Sequence, residues 1–212
     1  MNLEEQRRVR TQDFVRGLCL DEPTGHDWWH IDRVRILALR IGQQEGADLH
    51  LTEMAALLHD VDDHKFNPLG SNKAKTWLST VEEPNIEQII AIIESISFKG
   101  AGVTDMPMGI EGCCVQDADR LDAMGAIGIA RAFAYGGHMG RLLFDPSRGP
   151  ELHRDFQAYK SSQGHTINHF HEKLLLLKDR MHTSMGKQMA IKRHQFMVDF
   201  LDEFMDEWGA KQ

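Results

Sequence analysis

Apolar residues recur along this chain at spacings of three and four, the period of an amphipathic helix, and no segment alternates as the strands of a hairpin would. The first 20 residues read as a short charged helix that packs through Phe14, Val15 and Leu18, broken by Asp21-Glu22-Pro23-Thr24-Gly25. Trp28, Ile31, Val34, Leu37, Ala38 and Ile41 then mark one face of a second helix, with Arg33, Arg35 and Arg40 between them. Gly42 and Gly46 weaken its end. Thr52 is the expected cap of a third helix, which buries Leu51, Met54, Ala55 and Leu58 and delivers His59 and Asp60 at its C-terminal end.

Asn67 to Ser71 reads as a turn, with Ser71 the expected cap of a short helix through Trp77 and Val81. Pro84 suits the first turn of the next helix, whose buried face is Ile86, Ile89, Ile90, Ile93 and Ile96. Lys99 to Gly109 is a loop, and Ile110 to Tyr135 reads as one long helix. Close helix packing explains its glycines at 125 and 128, since an interior glycine costs about 1 kcal/mol against alanine. Gly136 to Pro150 is irregular, either a lid or an ordered surface loop. Two helices finish the chain: roughly His165 to Met181, burying Ile167, Phe170, Leu174 and Leu177, and Met185 to Trp208, burying Met189, Phe196, Phe200 and Phe204. The expected class is all-α.

Composition narrows the picture. A chain of 212 residues, 42% hydrophobic and 26% charged, fits an ordinary soluble globular domain. A net charge of −8, with no concentrated basic stretch, argues against nucleic acid as a partner. The three cysteines, Cys19, Cys113 and Cys114, include no CxxC pair; they suggest neither a disulfide framework nor a thiolate zinc site. No run approaches the ~20 apolar residues of a spanning helix, and Met1 to Val15 lacks a signal-peptide stretch. The expected location is the cytoplasm, with no membrane partner.

The chemistry concentrates in three segments. Leu57-Leu58-His59-Asp60-Val61-Asp62-Asp63-His64-Lys65 joins an apolar helix to a run of side chains that bind protons, metal or phosphate. Apolar neighbours hold His59 and Asp60 rigid and poorly solvated, which suits a metal site better than a surface ion pair. His26-Asp27-Trp28-Trp29-His30 sets two imidazoles four residues apart. Asp117-Ala118-Asp119-Arg120-Leu121-Asp122 crowds three carboxylates into an apolar helix, with Asp119 and Asp122 on one face. Blander roles stand beside these: Asp27 as a helix cap, Asp119 in a salt bridge to Arg120 or Arg131, His169 as a polar helix-face residue, and Cys113-Cys114 as core.

His30, His59-Asp60 and Asp119, in that order, resemble the His…His-Asp…Asp signature of the HD-domain metal-dependent phosphohydrolases. The segments 26–34, 57–66, 96–100, 115–122, 132–137 and 169–175 are similar to one bacterial branch, the nucleoside triphosphate pyrophosphohydrolases, so the resemblance covers most of the chain. It implies a single HD-type helical domain over 1–212, with a core at about 24–135 and C-terminal helices at about 150–208 packing on it. The implied ligands are His30, His59, Asp60 and Asp119, for one divalent transition metal. Two imidazoles and two carboxylates suit Mn, Fe, Co, Ni or Zn better than Ca or Mg. Asp63 stands where related nucleotidases place the acid that handles the proton of water, and His26 and Asp27 are further candidate catalytic groups that orient His30 or the water. Arg33, Lys65, Lys99 and Arg120 are candidate phosphate clamps, with Asp122 also facing the site.

The implied reaction is conversion of a (deoxy)nucleoside triphosphate to the monophosphate and pyrophosphate by metal-activated water. The alternatives are a nucleoside monophosphate phosphatase of 5′-nucleotidase type and a non-catalytic nucleotide-binding regulator. A cyclic-dinucleotide phosphodiesterase is disfavoured, because its Gly-Tyr-Pro motif is absent and Val61-Asp62-Asp63 replaces Ile-Gly-Lys after the His-Asp pair. A homodimer is left open.

Overall fold

The computed structural model describes residues 1–19, 27–62, 72–96, 106, 108–151 and 164–209. Among them every regular element is a helix, in keeping with the all-α pattern. The chain divides into two compact units, Met1–Phe98 with Thr104–Asp119, and Lys99–Val103 with Arg120–Gln212. The division falls between Asp119 and Arg120, inside the helix that carries them, whereas the core drawn from sequence runs to about 135.

The first unit contains α1 (Leu3–Cys19), α2 (Trp28–Glu45), α3 (Leu49–Leu58), α4 (Lys73–Thr80), α5 (Ile86–Ile96) and α6 (Ile110–Asp122) up to Asp119. Helix α3 lies at its centre and packs on α1, α2 and α5. It is buried from Thr52 to Leu58 on every side, including Met54, Leu57 and Leu58. Each such large apolar side chain stabilises by about 1.5–3 kcal/mol, and a helix apolar all round belongs in a core. Asp48, not Thr52, caps it: Leu51 N donates to Asp48 Oδ1 at 3.0 Å. Thr52 sits inside the helix, its hydroxyl donating to Asp48 O at 2.7 Å. Helices α2 and α3 run antiparallel, since His30 meets His59 while Arg35 meets Glu53.

On α1, Val15 is buried but Leu18 is exposed, and Phe14 instead stacks on Trp77 of α4 at 4.0 Å between ring centroids. The expected cap Ser71 lies outside the described residues; Asn72 stands at the N-cap of α4. Helix α5 buries Ile89, Ile93 and Ile96, with Ile86 and Ile90 half-buried.

In the second unit are α7 (Gly125–His138), α8 (Thr166–Glu172), a 3-10 helix (Leu174–Arg180) and α9 (Ser184–Trp208). The single helix expected over Ile110 to Tyr135 is broken at Ala123-Met124. Gly125 has φ +70°, a left-handed conformation that a side chain would strain. A Cβ at Gly128 would lie 2.2 Å from the Ala123 carbonyl oxygen. Turn geometry at the break, not helix packing, accounts for these two glycines. Gly136 and Gly137, expected in the irregular stretch, continue α7.

The helix expected from His165 to Met181 also breaks, at Lys173, where α8 gives way to the 3-10 helix. Its predicted buried residues Ile167, Phe170, Leu174 and Leu177 are buried. On α9 the buried positions are Met185, Ala190, Met197 and Leu201, while Phe196 points to solvent. Phe200 and Phe204 join Phe133, Phe144, Phe170 and Trp208 in one aromatic cluster. The 139–151 segment is an ordered loop clasped by α8. Thr166 N and Ile167 N donate to Leu142 O and Leu143 O, and Asn168 Nδ2 donates to Gly149 O at 2.9 Å.

Candidate metal centre

Three elements of the first unit bring the polar cluster together. Asp27 caps α2, accepting from His30 N at 2.9 Å, which fixes the first turn and the His30 backbone. Asp27 therefore takes its cap role in the structure. At the end of α3, His59 Nδ1 lies 2.7 Å from Ala56 O. A carbonyl can only accept, so Nδ1 carries the proton and Nε2 presents its lone pair to the cluster.

His30 Nε2 and His59 Nε2 stand 3.3 Å apart, both side chains buried. Asp60 Oδ2 lies 3.4 Å from His30 Nε2, and Asp60 Oδ1 lies 3.5 Å from His59 Nε2. The three residues each offer one ligand atom within 4.8 Å of the others and could hold a metal ion. Asp119 Oδ1 approaches the same ring nitrogens at 3.7 and 4.0 Å, with its side chain 39% exposed. Its neighbours on α6, Ala118 and Arg120, are buried, while Asp119 is partly exposed. The chemistry of the donor set, two imidazole nitrogens with the Asp60 carboxylate and Asp119 beside them, fits a metal ion.

The other sequence-predicted residues are placed differently. His26, Asp63, Lys65 and Lys99 lie outside the described residues. Arg33 is half-buried on α2, three residues after His30 and so on the same face. The Arg120 guanidinium donates to the Arg180 carbonyl and lies 3.3 Å from His182 Nε2. Asp122 pairs with Arg131 at 2.8 Å, so the partner considered for Asp119 belongs to Asp122. In the second unit, burial, with help from Lys173 and Arg141, pushes the His169 imidazole down to about 3, leaving it neutral. Burial also pushes the Cys114 thiol up to about 12, in line with a core residue and not a nucleophile.

Two participants escape a sequence reading. The Ala56 carbonyl sets the His59 tautomer, and no side-chain signal marks a backbone atom. Asp62 binds the start of α4: its Oδ1 accepts from Lys73 N at 2.8 Å and its Oδ2 from Ala74 N at 3.1 Å. No sequence signal marks it, because the lack of a cap bond from Asn72 is seen only in the structure.

Residues 28–124 match the family model of the HD domain. An HD-superfamily hydrolase from Bacillus thuringiensis is 41% identical, with a TM-score of 0.75 over 98% of this chain and 99% of that one. The chain belongs to the HD-domain superfamily. YpgQ of Bacillus subtilis is 40% identical over 205 residues, covering 94% of this chain and 91% of YpgQ. Its crystal structure in complex with ADP aligns with a TM-score of 0.77 over 97% of both chains. A Lactobacillus plantarum protein of 38% identity aligns with a TM-score of 0.88, over 97% of this chain and 98% of its own. The matched residues 28–124 include His30, His59, Asp60 and Asp119. Among the described residues, no helix is long and apolar enough to cross a membrane.

Proposed function

We propose that this protein is a divalent-metal-dependent phosphohydrolase that converts a (deoxy)nucleoside triphosphate to the monophosphate and pyrophosphate. The observation that carries the reading is the convergence of His30 Nε2 and His59 Nε2 at 3.3 Å, with the Asp60 carboxylate against both. The ADP bound by YpgQ supports a small nucleotide as the substrate class. A bound divalent ion supplies Lewis acidity toward a phosphoryl oxygen and makes an attacking water more acidic.

The chain's own residues do the rest. His59 needs no tautomer change to ligate, because Ala56 already holds its Nδ1 proton. His30, His59, Asp60 and Asp119 are the proposed ligands, the two carboxylates offsetting the ion's charge. Asp119 is the most exposed of the four and is the proposed ligand nearest to arriving substrate. Asp63, with His26, takes the proton released as the water oxygen bonds to the α-phosphorus. The bond from that phosphorus to the bridging oxygen breaks, and pyrophosphate leaves. Arg33, Lys65 and Lys99 are the proposed phosphate contacts. Arg120 and Asp122, engaged with Arg180 and Arg131, hold the end of α6.

Incubation with manganese and a panel of nucleotides tests this directly. Monophosphate and pyrophosphate in equal amounts are the expected products of triphosphates. Orthophosphate from monophosphates would establish the phosphatase instead, and absence of any product would sink the hydrolase reading.

A further inference from the structure

Helix α4 receives its cap from a distance. Asn72 makes no side-chain bond to it, and the first N–H groups of a helix have no partner within the helix itself. Asp62 supplies them, one carboxylate oxygen to Lys73 N and the other to Ala74 N, across eleven and twelve residues of chain. A carboxylate at a helix N-terminus is favoured by both hydrogen bonding and the helix dipole. The rest of α4 is fixed by α1. Phe14 stacks on Trp77, Trp77 Nε1 donates to Thr11 Oγ1 at 2.9 Å, and Arg7 Nε donates to Val81 O at 3.2 Å.

Asp62 is also part of the turn that carries the site. Val61 N donates to Leu58 O at 3.1 Å and the Val61 side chain is buried, so residues 58–62 form one tight unit with His59 and Asp60 inside it. We propose that Asp62 is a positioning residue for the metal centre. Its two bonds to α4 tie this turn to the start of that helix and so aim the Asp60 carboxylate and the His59 ring. The same bonds keep a third carboxylate, two residues from Asp60, from competing as a ligand. The inference rests on the metal-site reading above.

Manganese titration, followed by the electron paramagnetic resonance signal of free Mn(II), tests it. Asp62→Ala should weaken manganese binding about 10–100-fold, the usual scale for groups that orient ligands. Asp62→Asn, which accepts only one of the two N–H groups, should fall between Asp62→Ala and wild type. Trp77→Phe keeps the ring stack and drops the bond to Thr11, loosening α4 without touching Asp62. It should bind manganese within about twofold of wild type. In metal-free protein the ring 15N signals of His59 should move in Asp62→Ala and hold in Trp77→Phe. Unchanged affinity in Asp62→Ala, unmoved His59 signals, or an equal loss in Trp77→Phe would overturn the proposal. Wild-type protein that binds no manganese would overturn the metal reading instead, and the His59 signals would then still decide the role of Asp62.

Discussion

Two polar clusters lie between the same pair of antiparallel helices, and they are built on opposite principles. Midway along the α2–α3 pair, Arg35 donates to Glu53 at 2.9 Å and to Asp32 at 2.8 Å, and Arg8 approaches Glu53 at 3.6 Å. Burial alone would lower the Arg35 guanidinium, but its bonds to Asp32 and Glu53 outweigh that and hold it above the usual arginine value. About 7–9 Å further along each helix, where α2 begins and α3 ends, the Nε2 atoms of His30 and His59 and the carboxylates of Asp60 and Asp119 face one another. The first cluster is charge-matched, two arginines against Asp32 and Glu53. In the second, His30, His59 and Asp60 could hold a metal ion. Neighbouring positions on two helices thus separate an ion-pair network from a proposed ligand set, and the separation lies in the charge balance more than in burial.

The largest effect expected from breaking this contrast falls on the second cluster. Asp60→Ala should reduce nucleotide hydrolysis to background while leaving the helical circular-dichroism spectrum intact and without lowering the melting temperature of metal-free protein. Residual turnover would remove Asp60 from the ligand set. Glu53→Ala does the reverse. It leaves the buried part of Arg35 short of a carboxylate and should cost about 3 kcal/mol of stability, read from urea unfolding. A Glu53→Ala protein as stable as wild type would mean that the first cluster is not a structural network at all.

A third polar position sharpens the comparison through pH. His59 Nδ1 faces the Ala56 carbonyl, whereas His169 is kept neutral by burial beside Lys173 and Arg141. Its folded-state pKa of about 3 lies below the ordinary 6.5, so between these values the unfolded chain binds more protons than the folded one. Stability should therefore decline as pH falls from 6.5 toward 3. His169→Gln should flatten that acid limb, measured as melting temperature against pH. An unchanged limb would show that His169 does not titrate with unfolding.

Most of the helices were legible because their apolar periodicity is long and regular, as in α2 and α5. The breaks were not. The 123–128 stretch carries glycines that suit either close packing or a chain reversal, and only the left-handed Gly125 and the approach of Gly128 to Ala123 decide between them. Lys173 has no breaker signature, yet α8 ends there. The buried face of α9 was misplaced onto Phe196 because a 25-residue helix rich in apolar residues offers two plausible stripes. The meeting of His30 with His59-Asp60 was readable once two helices were expected, since an antiparallel pair with a short turn brings the start of one to the end of the other. The roles of Ala56 and Asp62 were not, because each is a contact between groups whose partner is a backbone atom.

The clasp on the 139–151 loop bears on how the protein withstands proteases. Arg148 offers an exposed side chain of the kind trypsin selects, in an irregular segment where cleavage ordinarily starts. Yet the carbonyl of Arg148, which belongs to the bond to be cut, lies 3.0 Å from His165 Nε2 and accepts from Asn168 Nδ2 at 3.3 Å. A protease needs that segment extended in its cleft, with the carbonyl turned to its own donors. The bait is displayed while the bond is withheld, and cutting waits on release of the loop from α8.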